Sequence, residues 1–310
     1  MPDADANPLI VAVVPTFRPE HETVEHLALL STLVDRVIVV DDGSGSAADA
    51  VLEEVSALAG VDVVRHERNS GIARALNTGV ERALADDADY VLTLDQDTAL
   101  PADYVQRCLE TFARASDATR LGIVATDRVN GAPAIPSSWS PEGLGLVPEA
   151  IQSGMLVSRD CLETAGGFDE RLVIDCVDTE YCIRVGDLGF RIAIAEGADI
   201  RHALGEMVPY RPFGRLARNR NGTFEYQYHS PFRQYYIVRN NVDLVLRFAG
   251  SHGRWTLAVV KRQIGPAIDA VLSGPHRFRH LIATLVGFAH GVFRVRGLIP
   301  ARLRRFLTAP

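Results

Sequence analysis

Several features that would assign this chain to a common class are missing from its 310 residues. Its first residues, MPDADANP, are acidic and polar, without the basic and apolar regions of a secretory signal peptide. No apolar run reaches the roughly 18 to 20 residues that a membrane-spanning helix needs. The four cysteines show no C-x-x-C spacing: Cys108, Cys161, Cys176 and Cys182. These absences predict a cytoplasmic chain whose thiols are reduced.

Two glycine-rich phosphate-binding motifs are also absent. No G-x-G-x-x-G follows the first apolar run, and no G-x-x-x-x-G-K-[ST] occurs anywhere in the sequence. The chain is therefore neither a typical dinucleotide-binding protein nor a P-loop protein.

Charge is divided unevenly along a chain whose overall composition, 47% hydrophobic and 23% charged, is ordinary for a globular protein. Residues 1–200 hold 14 Arg and 35 acidic residues, a net charge of −21. Residues 201–310 hold 17 Arg and 1 Lys against 4 acidic residues, a net charge of +14, which recovers the total of −7. Such a basic region typically faces an anionic partner, either a membrane surface or nucleic acid, or else docks on the acidic part of the chain.

Hydrophobic periodicity predicts an α/β domain followed by helices. In the first hundred residues, buried strands are predicted at 9–15, 36–40, 61–66 and 91–94, with helices at 22–33, 47–58 and 72–84. This βαβαβαβ order is typical of a parallel, doubly wound sheet. Further strands are predicted at 121–126, 151–158 and 191–195, helices within 101–120 and at 177–188, a loop at 206–228, and helices at 230–249, 254–272 and 277–293. We therefore predict an α/β domain over 1–205 and a basic, mainly helical region over 206–310.

Acidic residues stand where two predicted strands end. Asp41 and Asp42 follow the second strand, and Asp95 and Asp97 follow the fourth. Ligands of open α/β sheets bind outside the carboxyl ends of the strands. Two carboxylates one residue apart suit a divalent cation with phosphates on its far side, whereas the alternative is a pair of solvated loop acids.

Six motifs occur in a fixed order: VVPTF, VVDDGS, RNSGIARALNTGV, LDQD, GGFDERLVIDCVDTEYCIRVGDLGF with a following ADIRH, and HSPFRQYYIVRN. Together they resemble the GT-A glycosyltransferases of family 2, and within that family the bacterial rhamnosyltransferases, over nearly the whole chain. The resemblance implies the GT-A fold, a Rossmann-like and mostly parallel sheet that binds a nucleotide-diphospho-sugar, with a C-terminal helical extension.

The resemblance also implies a nucleotide-sugar site. Asp41 is assigned to the nucleotide and Asp42 to a capping role beside Gly43, although either acid matches the family position. A helix N-terminus after Gly71 offers backbone donors to an anion, and Arg74 reaches a phosphate unless it is simply solvated. The nucleotide-sugar contacts implied by the family are Thr16, Asp41, Asp42, Asn69, Gly71, Arg74, Asp95, Gln152, Ser153 and Gly154.

The resemblance implies that the metal ligands and the catalytic base stand at separate positions in the sequence. Asp97 matches the acid that ligates Mg²⁺ or Mn²⁺ directly, Asp95 the acid that touches ribose or the metal through water, and His202 a residue that completes the metal site. For inversion, one base must deprotonate the acceptor hydroxyl opposite the leaving group. Asp178 is the first choice for this base and Glu180 the second, although Asp178 also stands where a helix cap would be.

The tail motif implies acceptor or phosphate contacts by Arg233, Tyr235, Arg239 and Asn240, because guanidinium groups bind phosphates bidentately. The alternative for these residues is a helix that packs on the main domain.

By this resemblance the chain is an inverting, metal-dependent transferase of L-rhamnose from dTDP-β-L-rhamnose to a surface polysaccharide or polyprenyl-diphosphate-linked glycan. Its basic tail is expected to lie on the anionic inner face of the cell membrane or to form a homo-oligomer, and no nucleic acid is expected. Other hypotheses remain open: another donor, such as UDP-galactofuranose or a UDP-hexose; a nucleotidyltransferase, although VVPTFRPE lacks its glycine-rich basic loop; and a non-catalytic module that binds a nucleotide sugar or nucleic acid.

Overall fold

The computed structural model of the chain describes residues 7–202, 206–219, 222–223 and 225–309. Its strands are β1 (Ile10–Thr16), β2 (Arg36–Asp41), β3 (Val61–Arg65), β4 (Tyr90–Thr93), β5 (Thr98–Ala99), β6 (Leu121–Val129), β7 (Ala132–Pro133), β8 (Ser138–Trp139), β9 (Gly145–Val147), β10 (Met155–Ser158), β11 (Arg191–His202), β12 (Glu206–Pro209), β13 (Arg218–Asn219), β14 (Gly222–Thr223) and β15 (Glu225–Tyr228). Its helices are α1 (His21–Leu30), α2 (Asp49–Ser56), α3 (Ile72–Ala85), α4 (Tyr104–Arg114), α5 (Arg159–Ala165), α6 (Val177–Asp187), α7 (Pro231–Phe248), α8 (Gly253–Ser273), α9 (Arg277–Val292) and α10 (Ala301–Thr308).

The described residues form two compact units. Unit 1 contains residues 7–170 and 177–202, and unit 2 contains residues 171–176 together with the described residues from 206 onward. The predicted domain boundary at residue 205 lies outside the described residues. Nothing in the hydrophobic pattern of the sequence indicates that 171–176 belongs with the second unit.

Unit 1 is built on one sheet with the strand order β3-β2-β1-β4-β10-β6-β11-β9-β8. In addition, β5 pairs with β11 and β7 pairs with β6. The pairs β1–β2, β2–β3, β1–β4 and β6–β11 are parallel. Strand β10 is antiparallel to both β4 and β6, so β4 and β6 run in the same direction. The mostly parallel α/β sheet predicted from the sequence is confirmed, and the carboxyl ends of β1, β2, β4, β6 and β11 share one edge.

Burial explains why the central strands read as continuous apolar runs. Every residue of β1 is buried, because the strand lies between β2 and β4 with helices over the sheet. The apolar residues on one face pack with Leu27 of α1 and Val55 of α2. A strand covered on both faces has no solvated side, so it does not alternate apolar with polar residues.

Unit 2 is a helical unit with short strand pairs. Helix α7 packs on α8, α9 and α10, around a core of Tyr235, Tyr236, Ala283, Ile299 and Leu307. The predicted helices at 230–249, 254–272 and 277–293 are confirmed as α7, α8 and α9, whereas α10 was not predicted. Within 206–228, predicted as a loop, β12 pairs with β15 and β13 with β14. No helix among the described residues has the length and apolar content to cross a bilayer.

A close approach of α3 to β1 yields a stability prediction. A Cβ atom at Gly79 of α3 would lie 2.2 Å from Val13 Cγ1, whereas one at Gly186 of α6 would meet nothing within 4 Å. We expect Gly79→Ala to lower the free energy of unfolding by about 1–3 kcal/mol through overpacking. The control Gly186→Ala gains helix propensity and should raise it by about 0.5–1 kcal/mol. Urea unfolding followed by circular dichroism measures both, and equal effects of the two substitutions would contradict this packing.

Candidate active site

The acids predicted at strand ends meet a histidine at the shared edge of the sheet. Asp95 and Asp97 follow β4, and His202 is the last residue of β11. His202 Nδ1 lies 3.2 Å from Asp97 Oδ1, and its Nε2 lies 3.7 Å from Asp95 Oδ2. One ligand atom from each residue lies within 4.8 Å of the others. Residues 105 positions apart in the chain therefore form one cluster of oxygen and nitrogen donors.

Pairing between β5 and β11 holds this cluster together. In their antiparallel register, Thr98 stands opposite His202. Thr98 Oγ1 lies 2.9 Å from His202 Nδ1 and 2.7 Å from Ser153 Oγ, and Ser153 Oγ accepts the Asp95 backbone amide at 2.9 Å. Asn130 fixes the main chain of His202, accepting from its amide at 3.1 Å and donating to its carbonyl at 2.7 Å. The sequence pattern missed Thr98 and Asn130, because neither carries a charge or stands in a recognised motif.

The donor set fits a divalent cation of intermediate hardness. Two carboxylates and an imidazole suit Mn²⁺, and the oxygens suit Mg²⁺. The Asp97 side chain is 45% exposed and that of His202 only 17% exposed, so the cluster opens to solvent on the Asp97 side. A cation held there would keep positions for further oxygen ligands, as a phosphate-binding metal requires.

Gln152 connects the acidic cluster to Asp178. With its amide oriented so that the nitrogen faces the carboxylate, Gln152 donates to Asp95 Oδ1 at 2.8 Å. The backbone amide of Gln152 also interacts with the Asp178 carboxylate. A single buried residue therefore lies between the predicted metal ligands and the predicted base.

Asp178 is an aspartate whose proton affinity is increased by its surroundings. It is the second residue of α6, and its Oδ1 accepts the Thr179 amide at 2.8 Å. Loss of solvent on burial raises the pKa of Asp178, and the negative charge of Glu149 raises it further, against the hydrogen bonds from the Thr179 and Gln152 amides. A carboxylate with a raised pKa at a site edge suits general base work. Glu149, which no sequence motif indicates, thus tunes the candidate base.

Glu180, the second choice for the base, is occupied inside unit 1. Its side chain is 2% exposed, and its two oxygens accept from Arg184 Nε at 3.1 Å and Arg184 Nη2 at 2.9 Å. Arg184 in turn donates to the carbonyls of Ala165 and Gly167. This bidentate pair connects α6 to the end of α5, so Glu180 acts here as a structural acid and Asp178 is the better candidate for the base.

The two acids after β2 have different partners. Asp42 accepts the backbone amides of Ser70 at 2.9 Å and Gly71 at 2.8 Å and also lies 3.0 Å from His66 Nδ1, so it holds the loop that starts α3. Asp41 accepts from Ser44 Oγ and Ser44 N, and Arg65 Nε lies 3.6 Å away. Asp41 is therefore held at the strand end by Ser44 and Arg65, whereas Asp42 fixes the backbone of the loop before α3.

Other residues predicted to contact the nucleotide line the same edge. Thr16, at the end of β1, is 2% exposed, and its Oγ1 has no hydrogen-bond partner within the described chain. Gln96, the middle residue of LDQD, accepts the Phe17 amide at 2.9 Å and so connects the loop after β4 to the loop after β1. Gly154 has a φ of 95° and a Cβ there would lie 2.7 Å from Tyr104 Oη, which donates to its carbonyl at 2.5 Å.

The loop before α3 contains two further predicted residues, Asn69 and Gly71, and Asn69 lies against Gly43 after β2. A Cβ at Gly43 (φ 74°) would lie 2.4 Å from the backbone nitrogen of Asn69, so only glycine allows this approach. Gly71 (φ 102°) immediately precedes α3. Arg74, in the first turn of α3, donates to Glu170 at 3.0 Å and is 47% exposed. Its guanidinium is thus accessible but paired with a carboxylate in this structure.

Three of the four tail residues predicted to contact the acceptor or a phosphate are buried and hydrogen-bonded within unit 2. Tyr235 is buried, with its hydroxyl 2.8 Å from His290 Nδ1. Asn240 Nδ2 donates to three carbonyls of the segment 171–176, at 2.8–3.0 Å, and buried Arg239 donates to the carbonyl of Leu172 at 2.9 Å. These bonds hold a segment in which Val173, Asp175 and Cys176 all have positive φ. Only Arg233, 46% exposed and 3.1 Å from Asp175 Oδ1, keeps an accessible guanidinium.

Comparisons with known proteins agree with this arrangement. Residues 12–150 match the domain described as Glycosyl transferase family 2. Over 309 residues the chain is 29% identical to the dTDP-rhamnosyl transferase RfbF of Shigella flexneri, covering 91% of this chain and 96% of that protein. Because the match covers 91% of this chain, it includes residues of both units.

Solved structures agree on the fold alone. The mannosyltransferase PcManGT from Pyrobaculum calidifontis, in complex with GDP-Man and Mn²⁺, is 16% identical with a TM-score of 0.52, covering 99% of this chain and 85% of its own. S. aureus TarS 1-349, in complex with UDP-GlcNAc, is 15% identical with a TM-score of 0.50, covering 97% and 76%. At these low identities the two structures show that the chain shares their fold.

The cluster at the sheet edge yields a prediction about cation binding. We expect Mn²⁺ to bind the unliganded chain, and Asp97→Ala and His202→Ala each to weaken this binding at least tenfold, because each removes one ligand. Isothermal titration calorimetry with Mn²⁺ measures the change. The control Asp160→Ala removes an exposed carboxylate of α5 that pairs with Arg120, and an equal loss there would show non-specific binding.

Proposed function

We propose that the chain is a family 2 glycosyltransferase that transfers L-rhamnose from dTDP-β-L-rhamnose to a glycan, with inversion and with a divalent cation. The match of residues 12–150 to the family 2 domain and the relative from Shigella flexneri support this proposal. The observation that carries the mechanism is the Gln152 bridge between the Asp95–Asp97–His202 cluster and Asp178. The donor assignment is supported by the relative from Shigella flexneri, whose name gives dTDP-rhamnose chemistry.

Donor binding is assigned to the edge formed by β1, β2 and β4. Asp41 is assigned to the base or ribose of the nucleotide, and the Thr16 hydroxyl, which has no hydrogen-bond partner in the described chain, to the same group. Both side chains are buried in this structure. Asp97 and His202 hold Mn²⁺ or Mg²⁺, with Asp95 at the ribose side. When bound, the cation supplies positive charge that stabilises the departing diphosphate. Arg74, close to the start of α3, adds a cation for phosphate if it exchanges Glu170 for the donor.

Proton transfer is assigned to Asp178. Ionised Asp178 removes the proton from the acceptor hydroxyl as the oxygen attacks the anomeric carbon, and the diphosphate leaves from the opposite face. One base and no covalent intermediate give inversion. The main chain of Gln152 orients Asp178, and its side chain orients Asp95. The residues assigned to proton transfer and to donor binding are therefore positioned by one residue.

The acceptor is proposed to be a surface polysaccharide or its polyprenyl-diphosphate-linked precursor, reached from the cytoplasm. Arg233 is the one residue of the predicted tail set with an accessible guanidinium, and it is the candidate for an acceptor phosphate. A related donor, UDP-galactofuranose or a UDP-hexose, is the outcome that would displace dTDP-rhamnose while leaving the rest of the mechanism in place.

The roles of Asp178 and Glu180 predict opposite consequences for activity and stability. Asp178→Asn should lower kcat by at least a thousandfold and leave the free energy of unfolding equal or higher, because the neutral side chain avoids the cost of a buried charge. Glu180→Gln should lower the free energy of unfolding by about 2–4 kcal/mol, because it leaves Arg184 without its bidentate partner. Transfer assays and urea unfolding measure the two quantities. Near-normal turnover of Asp178→Asn would contradict the base assignment.

The pH dependence provides a second check on the base. Because the pKa of Asp178 is raised, the acid limb of kcat/KM should lie above the ordinary aspartate range near 3.9. Glu149→Gln removes a negative charge that raises this pKa, so the acid limb should move to lower pH. Asp160→Asn, on the exposed face of α5, should leave the limb unmoved. An unchanged limb in Glu149→Gln would contradict the coupling of these two acids.

Donor identity predicts a pattern of ligand stabilisation. In the presence of Mn²⁺, dTDP-β-L-rhamnose at a hundred times its Kd should stabilise the chain by about 2.7 kcal/mol through binding linkage. UDP-galactose, UDP-galactofuranose and GDP-mannose at equal concentration should give smaller rises in melting temperature. Differential scanning fluorimetry compares them directly. A larger rise with a UDP-sugar would transfer the donor assignment to that nucleotide.

A further inference from the structure

Helix α9 exposes five large apolar side chains on one side. Its buried residues include the small Ala283, Gly287 and Gly291, which let the helix approach α7 so closely that a Cβ at Gly287 would lie 2.8 Å from the Tyr235 carbonyl. Its exposed residues Phe278, Leu281, Leu285, Phe288 and Val292 recur every three or four positions. At 3.6 residues per turn they form one stripe on the side roughly opposite α7. We call these five residues the α9 stripe.

Helix α8, joined to α9 by Gly274–His276, repeats the arrangement. Val259, Ala270 and Ser273 are buried, whereas Leu257, Ile264 and Ile268 are each more than half exposed and recur at helical spacing on the other side. These three residues are called the α8 stripe. Neighbouring helices therefore expose eight large apolar side chains in two stripes. Monomeric soluble proteins rarely expose contiguous apolar surface on this scale unless something binds it.

The charges around the stripes have one sign. From residue 253 to 309 the chain holds ten Arg or Lys residues and a single acid, Asp269, whose Oδ1 accepts from Tyr210 at 2.8 Å. Arg254 and Lys261 are exposed and lie beside the α8 stripe at helical spacing. Arg277 and Arg279 begin α9, and Arg294 follows its end. Apolar stripes flanked by basic side chains are characteristic of helices that lie in the interface of an anionic membrane.

We propose that the α8 and α9 stripes form a binding surface for an anionic lipid bilayer, with α8 and α9 lying in the plane of the interface. The apolar stripes enter the boundary between headgroups and acyl chains, and Arg254, Lys261 and Arg277 contact lipid phosphates. A second copy of this chain is the poorer occupant, because two surfaces with the same strong positive charge would be brought together. The proposal concerns a surface of unit 2 and does not rest on the donor or the reaction assigned above.

Vesicle sedimentation tests this surface. The full-length chain is mixed with vesicles of phosphatidylglycerol and phosphatidylethanolamine, or of phosphatidylcholine alone, at low and at high salt. We expect the chain to sediment with the anionic vesicles, at least tenfold less with the neutral ones, and less as salt rises. Leu285→Asp combined with Phe288→Asp should reduce binding to anionic vesicles at least tenfold, because two charges would enter the apolar boundary. Arg254→Gln with Lys261→Gln should weaken binding and its salt dependence, because these two residues flank the α8 stripe.

A matched control separates this surface from general hydrophobicity. Leu29 of α1 is 64% exposed and lies in unit 1, so Leu29→Asp places one aspartate at an exposed apolar position elsewhere and should leave sedimentation unchanged. Circular dichroism and Mn²⁺ titration of the variants check that they remain folded. Equal sedimentation of the double variant and the parent would overturn the proposal, as would the absence of sedimentation by the parent. A parent that is dimeric in analytical ultracentrifugation, with the double variant monomeric, would assign the stripes to a second copy instead.

Discussion

The pairing of β5 with β11 is the interaction on which the sheet edge depends. Asp95 and Asp97 repel one another at the end of a buried strand, and this repulsion must be offset by a cation, a donor or solvent. The antiparallel register places His202 opposite Thr98 and therefore beside both acids. Without that register, the carboxylates would be two acids in a loop, which is the alternative that the sequence alone leaves open.

From that edge the remaining contacts extend in two directions. Gln96 connects the loop after β4 to the end of β1, where Thr16 and the β2 acids stand. Gln152 connects Asp95 to Asp178 at the start of α6. In the proposed mechanism, cation binding and proton transfer thus belong to different residues, and Gln152 contacts both groups. The raised pKa of Asp178 depends on its burial and on Glu149, so the properties of the candidate base are set by the fold around it.

Most of the helices, the central strands and most of the acidic residues of the site were predicted from the sequence, whereas several residues that contact those acids were not. The apolar runs that became β1, β2 and β4 are recognisable because strands buried on both faces have no polar alternation, and the helices of unit 2 because they are long and periodic. Thr98, Asn130 and Glu149 were missed because their importance comes from register and packing between segments far apart in the chain. Motif reasoning also treated Arg239 and Asn240 as acceptor contacts, whereas a buried guanidinium and amide were needed to satisfy the carbonyls of a left-handed segment. The choice of Asp178 over Glu180 as the candidate base depends on the pairing of Glu180 with Arg184, which no local sequence pattern indicates.

We have proposed that Asp97 and His202, with Asp95 beside them, hold a divalent cation that faces the diphosphate of the donor. Crystals grown with MnCl₂ and dTDP and measured on both sides of the manganese absorption edge test it most directly. We expect an anomalous peak within about 2.0–2.4 Å of Asp97 and His202, in contact with the dTDP diphosphate. A nucleotide bound at this edge with no anomalous peak there, or with manganese held by other residues, would contradict it.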